Sequence, residues 1–215
     1  MEKTAIVIGA TGLVGRSLVN QLAAADHIDK VITLTRRSAE HSSSKVFNHV
    51  VEFNKLEDYA SLFNADFLFS CLGTTIKQAG TIAAQRTVDL DYQFRAAQLA
   101  ANNGVAHYLL ISSNGANAKS CNAYLKMKGE LENKIKPLPF KRISLFQPSL
   151  LLGERAEFRF AEKLGSWVLP VVGIIPWIRR YRPIRGDQVA AKMVQVSQQA
   201  GEPLEIFRLD EIFIK

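Results

Sequence analysis

The sequence predicts an α/β fold in which a doubly wound parallel sheet is covered by helices on both faces. Short, nearly continuous apolar runs alternate with longer segments whose apolar residues recur at helical spacing, and this alternation extends over the first two-thirds of the chain. Because connections between parallel strands are right-handed, such a series builds a doubly wound sheet. With 215 residues, the chain is long enough for one domain with a sizeable core.

Six strands are predicted in this region because each run is rich in β-branched or aromatic residues. They are AIVIGA at 5–10, KVITLTR at 30–36, VFNHVVEF at 46–53, DFLFSCLG at 66–73, HYLLISS at 107–113 and KRISLFQP at 141–148. The intervening segments have the length and apolar spacing of helices, at 13–25, 56–63, 82–103 and 121–136.

Beyond Pro148 the sequence changes, because prolines and glycines become denser. We predict a single domain over 1–215, in which 149–215 forms a small C-terminal lobe over the strand ends. A helix is predicted from Asp187, its N-cap, to about Gln199, followed by a closing strand or two. The segment 164–185 has three interpretations: a flap over the site, a partner or membrane-surface patch, or a packed loop of the core.

Three glycines follow the first strand in GATGLVG, at Gly9, Gly12 and Gly15. In this position the first glycine permits a tight turn, the second lets a pyrophosphate approach the backbone, and the third lets the helix pack closely on the strand. The start of the helix then offers free amides to the anion. The pattern predicts a dinucleotide site of the Rossmann fold.

The end of the second strand predicts which dinucleotide is bound. A site for NAD usually places a carboxylate about 20 residues beyond the glycine loop, where it holds the ribose hydroxyls. This chain has Arg36 and Arg37 at that point, and guanidiniums suit a 2′-phosphate. We therefore expect NADP(H) as the cofactor.

A serine, a tyrosine and a lysine follow in an order that suits proton transfer. Tyr124 and Lys128 are four residues apart on a predicted helix and share a face. A neighbouring ammonium lowers the pKa of a phenol, which can then exchange a proton with a substrate oxygen. One of the two serines that close the fifth strand, Ser112 or Ser113, would orient that oxygen, and the lysine would also hold the nicotinamide ribose.

Composition excludes several other classes of function. The net charge of +7 suits an anionic ligand, and nucleic acid is not expected because four arginines cluster in the short run 179–185. The longest apolar stretch, 164–178, contains two prolines and is shorter than the roughly 20 residues that span a membrane. Two cysteines indicate a reducing compartment, which we take to be the cytoplasm, and no histidine spacing indicates a metal.

The chain resembles the atypical branch of the short-chain dehydrogenase/reductase superfamily, and more closely the HIV Tat-interactive-protein-2-like oxidoreductases and their bacterial relatives. The resemblance covers nearly all of residues 4–160 and rests on GATGLVGR, LTRR, FNKLEDYASLF, CLGTTIKQAG, VDLDYQFRAAQLA, LISSNGA, YLKMKGELE and QPSLLLGER. It implies that Tyr124 and Lys128 are catalytic and that Ser113, just past the fifth strand, is the serine of the site, with Ser112 as the alternative. It also implies cofactor contacts from Thr11, Gly12, Leu13, Val14, Arg36, Arg37, Leu72, Gly73, Tyr124, Lys128, Leu151 and Arg159.

These features predict an NADPH-dependent oxidoreductase that reduces a small carbonyl compound, with Tyr124 as proton donor. The alternative is a regulatory protein that binds NADP(H) and acts on a protein partner, or on a second copy of itself, through 164–185. A third alternative, sugar-nucleotide epimerisation, is less favoured because the C-terminal lobe is small.

Overall fold

One parallel sheet organises the chain in the computed structural model, which describes residues 2–152 and 179–214. The strands are β1 (Thr4–Ile8), β2 (Lys30–Thr35), β3 (Val46–Val50), β4 (Phe67–Ser70), β5 (His107–Ile111), β6 (Arg142–Gln147), β7 (Leu151–Leu152), β8 (Ile184–Arg185) and β9 (Leu204–Arg208). Seven of these described strands form a sheet in the order β3-β2-β1-β4-β5-β6-β9, and every neighbouring pair is parallel. The strands β7 and β8 pair with each other.

Helices cover both faces of this sheet. They are α1 (Leu13–Ala24), α2 (Ile76–Ala79), α3 (Ile82–Arg86), α4 (Gln93–Asn102), α5 (Ala123–Ile135) and α6 (Gly186–Gln198). Alternate residues of β1 enter different cores: Ala5 and Val7 pack with α1 and α6, whereas Ile6 and Ile8 pack with α4 and α5. The predicted doubly wound α/β fold is therefore confirmed, with its switch point between β1 and β4.

The long helix predicted at 82–103 consists of three parts. Between α3 and α4 lies a π-helical segment, Thr87–Tyr92. A π-helical turn holds one residue more than an α-helical turn, so it changes which side chains face inward. Here it buries Asp89 together with Leu90.

Two helices begin earlier than predicted. The helix expected at 56–63 is a 3₁₀ helix over Phe53–Phe63. The helix α6 has Arg185 as its N-cap, so the prediction of Asp187 as N-cap is wrong. Asp187 lies in the first turn, where its carboxylate accepts a hydrogen bond from the Gln188 amide and pairs with Arg185, which lowers the pKa of Asp187. The chain closes with one strand, β9, and a 3₁₀ turn, Leu209–Ile212.

The described part of the predicted C-terminal lobe packs directly on the main sheet. The helix α6 lies against α1, and β9 extends the sheet beside β6. Residues 153–178 lie outside the described residues, so the lobe remains a prediction. Within the described ranges, no helix has both the length and the hydropathy to cross a membrane.

Candidate functional site

The loop between β1 and α1 requires glycine at two positions for different reasons. Gly9 has a φ of +77°, and a Cβ there would lie 2.5 Å from the carbonyl carbon and oxygen of Cys71. A Cβ on Gly15 would lie 2.1 Å from the Gly9 carbonyl oxygen. The Gly12 amide donates to that same oxygen at 3.0 Å. The three glycines thus make a tight turn that brings α1 against the end of β1, as their spacing predicted.

No side chain caps or neutralises the positive N-terminal end of α1. Its N-cap, Gly12, makes no side-chain capping bond, and the first turn contains no acidic residue. The first amides of a helix have no intrahelical acceptor, and they carry the positive end of the helix dipole. This combination suits an anion such as a phosphate.

A cleft of about 520 Å³ opens at the switch point between β1 and β4. It is lined by Gly9, Ala10, Thr11, Gly12, Leu34, Thr35, Arg36, Phe53, Cys71, Leu72, Gly73, Thr74, Gln78, Ala79, Ala84, Val88 and Tyr92. The rings of Phe53 and Tyr92 are 5.6 Å apart and form an aromatic wall. A flat ring system such as a nucleobase can pack against such a wall. Arg36, directly after β2, adds a positive charge to the cleft lining.

Six of the predicted cofactor residues line this cleft: Gly9, Thr11, Gly12, Arg36, Leu72 and Gly73. The lining does not include Leu13, Val14, Gly15, Arg37, Tyr124, Lys128 or Leu151. Val14 is buried in the core, and Leu151 packs against the same hydrophobic cluster. Arg37 is exposed, and its carbonyl accepts a bond from the Thr35 hydroxyl at 2.7 Å. Arg159 lies outside the described residues.

The predicted catalytic pair lies at the carboxyl end of β5. The Lys128 side chain is buried, and its Nζ donates to the Ile111 carbonyl oxygen at 3.2 Å. The same Nζ is 6.0 Å from the centre of the Tyr124 ring. Tyr124 lies in the first turn of α5 and is 36% exposed, so a substrate can reach its ring.

The two candidate serines have different surroundings. Ser112 is buried, and its hydroxyl donates to the carboxylate of Glu132 on α5. Ser113 is only partly buried, and its hydroxyl is 3.4 Å from the Asn114 carbonyl oxygen, which is long for a hydroxyl hydrogen bond. These environments favour Ser113 as the residue that could bond a ligand.

A buried carboxylate, Asp89, was missed by the sequence analysis. It lies 3.6 Å from Lys128 Nζ through Oδ1 and accepts a bond from the Thr74 amide at 2.9 Å through Oδ2. Burial raises the pKa of Asp89, and the nearby Lys128 ammonium opposes this shift. The only signal in the sequence was its place in the VDLDY block. The aromatic wall was also missed, although Phe53 is the last residue of the third predicted strand.

The environment of the Cys71 thiol, which lines the cleft, makes this thiol a poor nucleophile. Burial raises the pKa of Cys71 to about 12, despite an opposing effect of Lys128. A thiol with such a pKa is protonated at neutral pH and is a poor nucleophile. Among the described residues, no group of three histidine, cysteine or acidic side chains could hold a metal ion.

The parallel sheet and the glycine loop at its switch point define an α/β protein of the short-chain dehydrogenase/reductase type. More particularly, the chain belongs to the NmrA-like family, whose profile matches residues 1–150. It is similar to Protein HTATIP2 of Rattus norvegicus, at 39% identity over 191 residues that cover 81% of this chain and 78% of that protein. This similarity confirms the resemblance found in the sequence.

Solved structures share the fold at low sequence identity. MoeE5 in complex with UDP-glucuronic acid and NAD matches with a TM-score of 0.72 and 12% identity, covering 96% of this chain and 76% of that chain. An oxidoreductase of the short-chain dehydrogenase/reductase family from Burkholderia thailandensis matches with a TM-score of 0.70 and 18% identity, covering 99% and 93%. At these identities the likeness concerns the fold.

The expected cytoplasmic location is contradicted by another relative. Protein FMP52 of Candida glabrata is named mitochondrial and is 33% identical over 209 residues, covering 94% of this chain and 88% of that protein. Related fungal proteins carry the same designation. The prediction was wrong because a low cysteine count indicates a reducing environment but does not distinguish one reducing compartment from another.

Proposed function

We propose that this protein is an NADP(H)-dependent oxidoreductase that reduces a small carbonyl compound. The observation that carries the proposal is the cleft at the switch point, which runs from Arg36 past the uncapped start of α1. The tyrosine and lysine follow at the end of β5, on the same edge of the sheet. Solved neighbours of this fold contain NAD, as their names state, and this supports a nicotinamide dinucleotide.

The described residues fit such a cofactor. The cleft volume of about 520 Å³ lies in the range typical of small-molecule sites. The amides at the start of α1 would hold the pyrophosphate, and the Phe53–Tyr92 wall would hold the adenine. Arg36 would bind the 2′-phosphate, and Leu72 and Gly73 would lie along the chain of the dinucleotide.

The chemistry follows from the residues at the end of β5. NADPH, when bound, supplies the hydride that is added to the carbonyl carbon. Tyr124 would donate its phenolic proton to the carbonyl oxygen, which becomes the hydroxyl of an alcohol. Ser113 would bond that oxygen and fix its position. The ammonium of Lys128 would stabilise the phenolate that remains after proton transfer.

The cofactor preference is tested by titrating the protein with NADPH and NADH and following nicotinamide fluorescence. We expect tighter binding of NADPH. Arg36→Ala should weaken NADPH binding by about tenfold or more, the range for a charge-assisted hydrogen bond, and leave NADH nearly unchanged. Arg37→Ala is the matched control, because this arginine does not line the cleft, and it should have the smaller effect. Equal affinities for the two dinucleotides would contradict the assignment.

The reaction is tested by following NADPH oxidation against a panel of aldehydes and ketones. Tyr124→Phe should abolish turnover while NADPH binding is retained, because only the proton donor is removed. Turnover that survives in this variant would exclude Tyr124 as the proton donor. UDP-glucose belongs in the panel, because turnover of a nucleotide sugar would support the less favoured alternative of epimerisation.

The regulatory alternative depends on the segment 164–185, of which 164–178 lies outside the described residues. The buried Lys128 beside Tyr124 supports an enzyme more directly, because a protein that only binds the cofactor has no need of a proton donor there. A protein that binds NADPH and turns over no carbonyl in the panel would support the regulatory alternative.

A further inference from the structure

The position of Asp89 is fixed by a buried network on the inner face of the π-helical segment. Its backbone carbonyl accepts a bond from Gln93 Nε2 at 2.7 Å, and the Gln93 oxygen accepts a bond from the Ser70 hydroxyl at 2.7 Å. These contacts tie Asp89 to the end of β4. The carboxylate is therefore held in one place before any ligand binds.

The carboxylate connects two parts of the candidate site. Oδ2 accepts from the amide of Thr74, which lines the cleft, and Oδ1 faces the ammonium of Lys128 at 3.6 Å. The Asp89 and Lys128 side chains are 1% and 3% exposed. A Cβ at Gly73 would lie 3.4 Å from Oδ1, so the carboxylate lies within contact distance of the cleft wall.

We propose that Asp89 is a positioning residue of the active site: its carboxylate holds the Lys128 ammonium at the end of β5 and ties it to the cleft wall at Thr74. This inference rests on the proposed function. An ammonium has three donors. Ile111 accepts a hydrogen bond from one of them, and Asp89 Oδ1 faces the ammonium at 3.6 Å as an ion pair without a hydrogen bond, so donors remain for the nicotinamide half of the cofactor.

A purely structural role does not account for such a pair. Burying two charges costs free energy that well-packed apolar side chains would not cost, so a buried ion pair contributes little to stability. Without the carboxylate, however, the ammonium would be buried with no counter-charge, and an unpaired buried charge is costly. We therefore attribute the pair to the function of the site, where an ammonium is needed beside the cofactor, and not to the stability of the fold.

The test compares NADPH with adenosine 2′,5′-bisphosphate, which lacks the nicotinamide half. Asp89→Asn keeps an oxygen for the Thr74 amide and removes the charge. We expect it to weaken NADPH binding by about tenfold and to leave binding of the bisphosphate unchanged. Asp91→Asn, an exposed neighbour on the same segment, is the matched control and should change neither affinity. Equal losses for both ligands would show that Asp89 only shapes the cleft wall, and would overturn the inference.

A double-mutant cycle with Lys128→Met shows whether the effect passes through the lysine. Removing Asp89 also removes a negative charge near an anionic cofactor, which by itself would strengthen binding. In the Lys128→Met background only this direct effect remains, so Asp89→Asn should no longer weaken NADPH binding. A further tenfold loss in that background would overturn the inference. This comparison uses only Lys128→Met and the double variant, so it holds even if Asp89→Asn alone does not fold.

Melting temperatures provide a readout that does not depend on the cofactor. Lys128→Met leaves a buried carboxylate without its partner, so the double variant should melt at a higher temperature than Lys128→Met alone. A lower melting temperature for the double variant would contradict the pairing. Failure of the wild-type protein to bind NADPH would overturn the proposed function and this inference together, whereas binding with additive losses would overturn the inference alone.

Discussion

Substitution of Gly9 by alanine should separate the two demands that the β1–α1 loop makes on this residue. The first is conformational, because its φ of +77° costs an L-residue about 1–2 kcal/mol. The second is steric, because the new Cβ would lie 2.5 Å from the backbone of Cys71, and overpacking of this kind costs about 1–3 kcal/mol. Together they predict a loss of about 2–5 kcal/mol in the free energy of unfolding.

Gly104 provides the matched control. Its φ is +78°, and a Cβ there would meet no described atom within 4 Å. Gly104→Ala should therefore show only the conformational cost of about 1–2 kcal/mol. Both variants are compared with the wild-type protein by urea unfolding, and their m-values should agree so that the free energies can be compared. If Gly9→Ala is no less stable than Gly104→Ala, then the close approach between the loop and β4 is not a feature of the protein.

Three further predictions concern other buried groups. Burial lowers the pKa of His107 to about 3 from an ordinary 6.5, so the stability that its neutral form contributes is complete above pH 6.5. As the pH falls from 6.5 toward 3, that stability should be lost at about 1.4 kcal/mol per pH unit, and His107→Gln should flatten this dependence in urea unfolding. Ser112→Ala should destabilise the fold by about 1–3 kcal/mol with its buried hydroxyl bond removed, whereas Ser113→Ala should lower turnover without changing the unfolding midpoint. Iodoacetamide at pH 7.5 should alkylate the exposed Cys121 and leave Cys71 unmodified in a mass spectrum, and rapid labelling of Cys71 would contradict its raised pKa.

The fold class was predictable because the apolar pattern of each strand and helix is visible in its own short stretch of sequence. The apolar runs of β1, β4 and β5 are buried throughout or nearly so, and sequence shows this directly. The glycine loop was equally predictable, because its three glycines are required by the geometry of a single turn. Such features can be predicted without information about contacts between distant residues.

The parts of the site that escaped prediction depend on contacts between distant elements. Arg36 and Arg37 are equivalent in sequence, yet only Arg36 lines the cleft, because the direction of a side chain beyond a strand end depends on the backbone there. Asp89 and Asp91 are both candidates in VDLDY, and the π-helical segment buries only the first. No periodicity in the sequence indicates a π-helical turn, so the sequence could not show which of the two aspartates pairs with Lys128.

The residues at the start of α6 also pack against the start of α1, next to the glycine loop. A Cβ at Gly186, the first residue of α6, would lie 2.9 Å from the Leu13 carbonyl oxygen, so α6 begins in close contact with the start of α1. A second contact joins the two helices, because Gln21 Nε2 on α1 donates to the Asp187 carbonyl oxygen at 3.1 Å. The start of α1 is thus held between the end of β4 at Cys71 and the start of α6. An anion site made of backbone amides depends on such a rigid support, because the amides cannot adjust individually once the helix is packed.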